Sequence, residues 1–279
     1  EEAVKARQAE IAREEAALMP PARALLYAAT LGGVLLSVRS VLRGAPDLWV
    51  ALLCIHVYAA LILAGVLVIR LRMFADAIVR GPKGADGVVL TFDDGPDPEH
   101  TRKILDILDE HDAKATFFVI GRKVEQHPEV AREILERGHE LGVHGFAHDR
   151  LFSLRGARRV REDLTRAVAV IEKATQKRPR LFRPPIGHTN PTIVRIADEL
   201  DLTIVGWSVA GYDGLARAKP SFVAERVKAA IDDGDIVLLH DAAERDDHVP
   251  ACVKALPEIL AGAKDRNLRI AKLSDWLED

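Results

Sequence analysis

The chain has 279 residues, 48% of them hydrophobic, and a formal net charge of −3 at pH 7. This length suits one large domain of α/β-barrel size or two smaller ones, and the lack of a basic excess argues against nucleic acid as a partner. The two cysteines, Cys54 and Cys252, lie far apart in sequence, which argues against a disulfide framework. Because the sequence begins at Glu1, we expect a trimmed or processed product.

A charged N-terminus and two apolar stretches come first. Residues 1–21 are rich in Glu, Ala, Arg and Lys and predict a solvated helix. Apolar stretches follow at residues 24–38 and 48–69, and a helix that crosses the hydrocarbon core needs about 20 mainly apolar residues. The second stretch has that length, whereas the first has it only if the helix extends to Leu42. We therefore expect residues 22–73 to form a transmembrane helical hairpin that contacts the lipid bilayer; the alternative is one span plus an interfacial or packed apolar helix.

Beyond this segment, apolar runs with strand periodicity alternate with helical patterns. Such alternation is typical of a parallel sheet or barrel with helices outside, so we expect residues 84–279 to form one α/β domain. The predicted strands cover residues 87–92, 115–120, 139–144, 180–183, 202–209 and 235–240, and the predicted helices cover residues 99–111, 128–138, 157–175, 191–200, 221–233 and 249–264.

Titratable residues recur at the carboxyl ends of the predicted strands. Asp93 and Asp94 end the first strand, His144 the third, Arg183 the fourth and His240 the last. Random placement would scatter such side chains, whereas α/β folds gather their functional sites at this edge of the sheet. The pattern therefore predicts a site there.

His144 and His148 are four residues apart, a spacing at which both imidazoles reach one point on a compact loop. With one carboxylate they form the donor set of a catalytic zinc site with a position open for water. The helical metalloprotease signature has the same spacing but requires Glu after the first histidine, and Gly145 stands there instead. Two histidines and one aspartate therefore predict a divalent-metal centre of another kind.

The two adjacent acids divide their roles, because neighbouring residues at a strand end point in different directions. One of Asp93 and Asp94 binds the metal and the other takes a proton from the attacking water. His240 is suited to protonate the leaving group as an imidazolium, and a core histidine is the alternative reading. The remaining histidines of this region are expected to be surface or capping residues, with His248 nearest the pocket rim: His100, His111, His127, His139, His188 and His248.

Five motifs now resemble, in order, those of one known family. "TFDDGPD", "ATFFVIG", "HGFAH", "FRPPIG" and "IVLLHD" are similar to motifs of the NodB-homology polysaccharide deacetylases, carbohydrate esterase family 4. The resemblance covers residues 85–277 and does not cover residues 1–80. It implies an α/β fold that is a distorted, truncated (β/α) barrel, here preceded by the predicted transmembrane hairpin.

The resemblance implies a role for each matching residue at the metal. Asp93 would be the general base, and Arg183 would contact that base and hold it in place. Asp94, His144 and His148 would bind one divalent metal, usually zinc.

The family also implies an acid and a substrate cleft. His240 would be the general acid that protonates the departing amine, and Asp213 would orient and charge it. Leu238 would line a pocket for the acetyl methyl group. The other residues expected to bind substrate are Pro185, Gly187, Trp207 and Tyr212.

Three residues depart from the family pattern. Gly145 replaces the common serine or threonine after the first metal histidine, and Val143 replaces a common asparagine. These changes alter the residues that support the metal ligands. Gly214 stands where many members have tryptophan, so we expect one wall of the groove to be open.

The resemblance implies metal-dependent hydrolysis of N-acetyl groups from amino sugars of a polysaccharide or bacterial cell-envelope glycan, of N-acetylglucosamine or N-acetylmuramic acid type. An alternative keeps this chemistry on a polyprenyl-linked sugar at the membrane, as a deacylase or deformylase. A second alternative is an inactive glycan-binding module, which would lack a ligand or the base.

The expected location is the inner cell membrane with the catalytic domain outside the cytoplasm. More basic residues flank the hairpin than lie in its loop, which holds Arg39 and Arg43. By the positive-inside rule alone, the flanks and the large domain would be cytoplasmic. The family's substrates favour the opposite orientation, with the two loop arginines as the cytoplasmic signal.

Overall fold

A computed structural model describes residues 19–245 and 247–277. The predicted charged helix of residues 1–21 lies almost entirely outside these residues. The first described elements are two long apolar helices, α1 (Pro21–Arg43) and α2 (Leu48–Leu67). The first extends past Leu42 and so has the length that the sequence left conditional.

The two helices form a hairpin whose apolar side chains are largely exposed. Their mean hydropathies are 1.7 and 2.5, which makes both long and apolar enough to cross a membrane. Thr30 and Tyr58 join them through a hydrogen bond of 2.9 Å between their hydroxyls. Length and composition alone are weak evidence for a bilayer segment, because a signal sequence passes the same test.

The remaining described chain is an α/β fold built on a parallel, distorted half-barrel. Seven strands lie in the order β5-β4-β3-β2-β1-β7-β6, and β8 pairs with β1. The strands are β1 (Val88–Asp93), β2 (Thr116–Val119), β3 (Glu140–Val143), β4 (Leu181–Phe182), β5 (Thr203–Ile204), β6 (Val209–Ala210), β7 (Ile236–His240) and β8 (Ile270–Ala271).

Helices cover the outside of this sheet, as the alternating pattern predicts. The strands β1 and β2 are fully buried and β3 and β7 are mostly buried, and each long helix of the domain turns an apolar stripe toward the sheet. The helices are α3 (His100–Glu110), α4 (Gly121–Gln126), α5 (Pro128–Glu136), α6 (Ala157–Thr175), α7 (Pro191–Glu199), α8 (Pro220–Ala230) and α9 (Cys252–Asp265). The α/β prediction is confirmed, while the short elements α4 and β8 had no predicted counterpart.

The strand predicted at residues 202–209 is wrong as a single element. It forms two short strands, β5 and β6, which lie at opposite ends of the sheet order. Residues 205–208 cross the gap between the two edge strands of the half-barrel, which we call the seam. They do not continue β5, because the Arg183 guanidinium donates hydrogen bonds to the carbonyl groups of Val205 and Gly206 at 3.4 and 2.7 Å. Those carbonyls are thereby diverted from a continuous strand ladder.

The segment that follows α2 partly fills this seam. Ile78 donates its N–H to Ile204 O at 2.9 Å and accepts from Gly206 N at 2.8 Å. Ile69 is 4% exposed and belongs to the main core. The chain therefore passes from the apolar hairpin into the barrel through residues that are themselves part of the barrel.

Candidate metal centre and active site

Three side chains at the carboxyl ends of β1 and β3 converge on one point. Asp94 Oδ1 lies 3.6 Å from His144 Nε2 and 3.3 Å from His148 Nε2. The three donor atoms lie within 4.8 Å of one another, and all three residues are buried. Two imidazole nitrogens and one carboxylate oxygen are a donor set suited to zinc with a position left open.

The protonation and hydrogen bonding of these donor atoms suit the binding of a divalent cation. Asp94 Oδ1 is buried and has no hydrogen-bond partner among the described residues. Burial lowers the pKa of His144 to about 3, so its imidazole is neutral and keeps a lone pair on Nε2. Its Nδ1 donates to the Arg183 carbonyl at 2.7 Å, which fixes the tautomer and the ring.

Two of the three donor residues have a strained backbone. Asp94 has φ 75° and His148 has φ 51°, both in the left-handed region that costs non-glycine residues free energy. Gly145, between the two histidines, also has a positive φ, of 76°. A serine or threonine would be strained in this conformation, so glycine suits this loop.

Glu244 was not predicted from the sequence, and the structure places it behind His148, one of the three candidate metal donors. Its Oε1 lies 3.4 Å from His148 Nδ1. Arg150 holds the other carboxylate oxygen through two nitrogens at 2.6 Å, and Arg122 donates to the Glu244 carbonyl at 2.6 Å. A carboxylate behind a ligating imidazole can orient that ring. Glu244 lies at ion-pair distance from His148 Nδ1, which has no hydrogen-bond partner among the described residues. The only sequence signal was an acid four residues after His240.

Asp93 lies beside the metal ligands but faces a different partner. Its Oδ1 accepts a hydrogen bond of 2.7 Å from Arg183 Nη1, and its Oδ2 lies 3.7 Å from His144 Nε2. Arg183 is fully buried and also donates to Thr91 Oγ1 at 2.7 Å. Phe118 lies under the guanidinium, 4.2 Å from ring centroid to Cζ.

Burial raises the pKa of Asp93, and the positive charge of Arg183 offsets only part of that increase. A carboxylate whose pKa is raised is a stronger base than one in water. Arg183 thus fixes the direction of the carboxylate without removing its basicity.

His240, at the end of β7, is held by Asp213. Its Nδ1 lies 3.0 Å from Asp213 Oδ1, and its backbone N–H donates to Asp213 Oδ2 at 2.8 Å. Burial lowers the pKa of His240, but the charge of Asp213 and its hydrogen bond outweigh that effect and raise the pKa to about 10. At neutral pH the imidazole is therefore protonated on both ring nitrogens and positively charged.

The side chains that open into one cleft of about 500 Å³ are Asp93, Asp94, His144, His148 and His240, whereas Arg183 and Asp213 are fully buried behind them. Of the residues predicted to bind substrate, Gly187, Trp207, Tyr212 and Leu238 line it. Pro185 does not; it is buried beneath the loop of Gly145.

Val143 and Gly214, two of the residues that depart from the family pattern, both lie next to residues of the site. Val143 is fully buried on β3, and its carbonyl accepts from Arg183 N at 2.9 Å. A Cβ on Gly214 would lie 3.0 Å from the His240 ring. The wall expected to be open carries His248, whose Nε2 donates to the Gly214 carbonyl at 3.0 Å.

Two of the histidines left without a role in the sequence have informative positions. His248 lines the cleft. His139 is 4% exposed, edge-on to Phe117, and its Nδ1 accepts from Ala115 N at 3.2 Å. The surface assignment of His139 is wrong, because its burial does not follow from local sequence, whereas His248 lies at the cleft as expected for a residue near the pocket rim.

With this geometry established, comparison with known proteins gives one consistent result. A sequence model described as polysaccharide deacetylase matches residues 80–205. A peptidoglycan-N-acetylglucosamine deacetylase of Bacillus cereus is 37% identical over 201 residues, which are 70% of this chain and 90% of the relative. A chitooligosaccharide deacetylase of Bradyrhizobium is 39% identical over 57% of this chain and 72% of its own length.

Solved structures agree with the sequence relatives. A peptidoglycan N-acetylglucosamine deacetylase aligns with TM-score 0.67 and 30% identity, over 71% of this chain and 91% of the other. A CE4 family pseudoenzyme from Bacillus anthracis aligns with TM-score 0.66 and 29% identity, over 75% and 71%. The chain belongs to the polysaccharide deacetylase family, carbohydrate esterase family 4, and is a hydrolase of that class.

Proposed function

We propose that this chain hydrolyses N-acetyl groups of amino sugars in a cell-envelope glycan and releases acetate. One observation carries the proposal: a buried Asp-His-His donor set, a carboxylate held by a buried arginine and a protonated histidine all face one cleft. The glycan would be of N-acetylglucosamine or N-acetylmuramic acid type, as in the relatives' names.

Asp94, His144 and His148 would hold one divalent cation, with zinc favoured by the donor set. When bound, the cation supplies polarisation of the acetyl carbonyl and makes water at the site more acidic. Glu244 would keep the His148 ring turned toward that position.

Asp93 would act as the general base. It takes one proton from water as the oxygen attacks the acetyl carbon, and Arg183 holds its carboxylate still during this step. Its raised pKa makes it a better proton acceptor than an exposed aspartate.

His240 would act as the general acid. It donates its proton to the amine nitrogen as the C–N bond breaks, so acetate and a free amino sugar result. Asp213 keeps the imidazole charged until that step. Leu238 lines the cleft beside His240 and would contact the acetyl methyl group.

The inactive-module alternative loses support from the residues present. A family neighbour is a pseudoenzyme, so the fold alone does not establish activity. This chain, however, has every predicted ligand and both predicted proton-transfer residues facing the cleft. That combination supports a working enzyme.

The test is acetate release by the full chain, purified in non-ionic detergent and loaded with zinc. The full chain is required because residues 69–80 contribute to the barrel core. With N-acetylglucosamine oligomers or peptidoglycan as substrate, Asp93→Asn should lower kcat by about 10²- to 10⁴-fold. The matched control, Asp198→Asn on the exposed face of α7, should keep activity.

Removal of the metal with a chelator should abolish release, and zinc should restore it. A folded, zinc-loaded chain that releases no acetate from any of these glycans would refute the proposal. So would an Asp93→Asn variant with unchanged kcat.

We further propose that the hairpin anchors the domain to the cell membrane with the cleft outside the cytoplasm. The two long apolar helices and the cell-wall enzymes among the relatives support this location. An alkaline phosphatase fused after residue 279 should be active, and an active cytoplasmic reporter at that position would refute it.

A further inference from the structure

The apolar hairpin is attached to the barrel without a flexible connection. The last turn of α2 packs beside the cleft, since Val66 O accepts a hydrogen bond of 3.0 Å from Thr189 N. Thr189 is buried and follows the Pro185–Gly187 turn at the cleft wall. The end of α2 and the catalytic cleft therefore have a fixed relative position.

A second cavity of about 550 Å³ lies at the point where α2 ends. Trp207 and Tyr212 line both this cavity and the catalytic cleft, so the two cavities share a wall at these side chains. The residues on its side next to α2 are Leu67, Val68, Ile69 and Arg70.

The cavity carries two arginines without an acidic partner. Within the described residues, Arg70 and Arg226 form no ion pair with a carboxylate. Arg226 donates from Nε to Ala210 O at 2.9 Å, and its guanidinium stacks on Tyr212 at 4.5 Å. The structure thus fixes one guanidinium at the boundary between the cavity and the cleft.

Each acid that lines the cavity already has an arginine partner. Asp235 is buried and binds Arg80 at 3.1 Å and the Ser208 hydroxyl at 2.6 Å. Asp232 is exposed and lies 3.8 Å from Arg266. The two unpaired arginines therefore leave the cavity with an excess of positive charge.

Arginine is suited to bind phosphate, because its planar guanidinium matches two phosphate oxygens at once. Basic residues just past a membrane helix lie at the level of the lipid headgroups. The cavity combines this charge with apolar side chains, Leu67 and Val68, on the side of the hairpin.

We propose that this second cavity binds the phosphate of a lipid-linked amino sugar. The N-acetylated sugar lies in the catalytic cleft, the phosphate lies between Arg70 and Arg226, and the lipid chain extends along α2. This inference rests on the proposed deacetylation and specifies its substrate class.

The experiment uses the zinc-loaded full chain in non-ionic detergent micelles with three substrates. These are polyprenyl-phosphate-linked N-acetylglucosamine, N-acetylglucosamine 1-phosphate and an N-acetylglucosamine tetramer. We expect Arg70→Gln and Arg226→Gln each to raise KM for the lipid-linked substrate about tenfold, as the loss of a charge-assisted hydrogen bond does. The tetramer should show less than a twofold change. Arg72→Gln is the matched control, because Arg72 lies on the same segment but outside the cavity.

Direct binding gives a readout that does not require catalysis. Polyprenyl phosphate should bind the full chain, and each of the two variants should weaken that binding about tenfold while Arg72→Gln does not. Equal binding by all variants would overturn the inference, whether or not the protein releases acetate.

The kinetic outcomes separate the possible failures. If the tetramer is deacetylated and the lipid-linked sugar is not, the inference is wrong and the proposed function stands. If N-acetylglucosamine 1-phosphate has the same KM as the lipid-linked substrate, the cavity takes a free phosphate and the lipid assignment is wrong. If no substrate releases acetate, the proposed function itself fails.

Discussion

Asp213 holds His240 at two points with one carboxylate. One oxygen lies 3.0 Å from the imidazole Nδ1, and the other accepts the backbone N–H of the same residue at 2.8 Å. Asp213 is fully buried. The contact therefore fixes the position of the histidine at the end of β7 and keeps its ring positively charged.

Replacing Asp213 with asparagine should change the pH dependence of catalysis. The charge of Asp213 helps to raise the pKa of His240 to about 10, and a general acid loses activity as pH rises through its pKa. Without that charge the pKa falls, so the alkaline limb of the kcat profile should move to lower pH by one unit or more, on the order of one lost ion pair. Acetate release measured across pH checks this.

The same profile for Asp233→Asn, at an exposed acid that is not among the groups shifting the pKa of His240, should match the unmodified protein. An alkaline limb that stays in place in Asp213→Asn would show that Asp213 positions the ring without setting its charge.

Replacing Arg183 with methionine should destabilise the protein. Asp93 would be left buried without its partner, and removal of one member of a buried ion pair costs about 3–5 kcal/mol. The free energy of unfolding in urea measures this. Arg180→Met is the control, since Arg180 and its partner Asp201 are both exposed, and a surface ion pair contributes about 1 kcal/mol or less. Equal losses in the two variants would contradict the structural role of Arg183.

Replacing Glu244 with glutamine should weaken metal binding. The carboxylate lies 3.4 Å from His148 Nδ1, and loss of a residue that orients a ligating histidine reduces metal affinity by about 10- to 100-fold. Competition with a fluorescent chelator measures the zinc Kd. Glu125→Gln, at an exposed position on α4, is the control. An unchanged Kd in Glu244→Gln would mean that His148 needs no such support.

His139 should make stability depend on pH. Burial lowers its pKa from the ordinary 6.5 to about 4, because the charged ring is disfavoured away from water. Between those pH values the unfolded chain binds the proton and the folded chain does not. The free energy of unfolding therefore falls as pH drops from above 6.5 toward 4, by up to about 3 kcal/mol.

Urea unfolding tests this dependence. We would compare the unmodified protein with His139→Asn at pH 7.5 and at pH 5, both about one unit or more from the ordinary pKa. Asparagine keeps an acceptor for Ala115 N and cannot become charged. The variant should lose less stability than the unmodified protein between the two pH values. The same loss in both proteins would assign the dependence to other groups.

The chemistry of the site was readable from sequence because its signals are local. Two acids after the β1 run, two histidines four apart and a histidine after the β7 run each occupy one short motif. Apolar periodicity placed those motifs at strand ends, and parallel strands bring their carboxyl ends to one edge. The metal donor set and the α/β alternation follow from these patterns.

Other features depend on residues that meet only after folding. Glu244 contacts His148 across nearly one hundred residues of chain, and no periodicity connects them. Arg183 interrupts a segment that reads as one strand, because its guanidinium takes the carbonyls of Val205 and Gly206. Local propensity contains no information on either contact.

The sequence by itself predicted the metal donor set and the proton-transfer residues from the side chains that follow the strands, and its motifs indicated the reaction class through their resemblance to one family. The tertiary structure alone decided how the hairpin meets the barrel and that Trp207 lies between the cleft and a second cavity. The physical reason is the sequence separation of the interacting residues. Motifs and periodicity reflect interactions between residues a few positions apart. Packing among segments distant in sequence sets the seam of the barrel, the docking of α2 and the charge balance of a cavity.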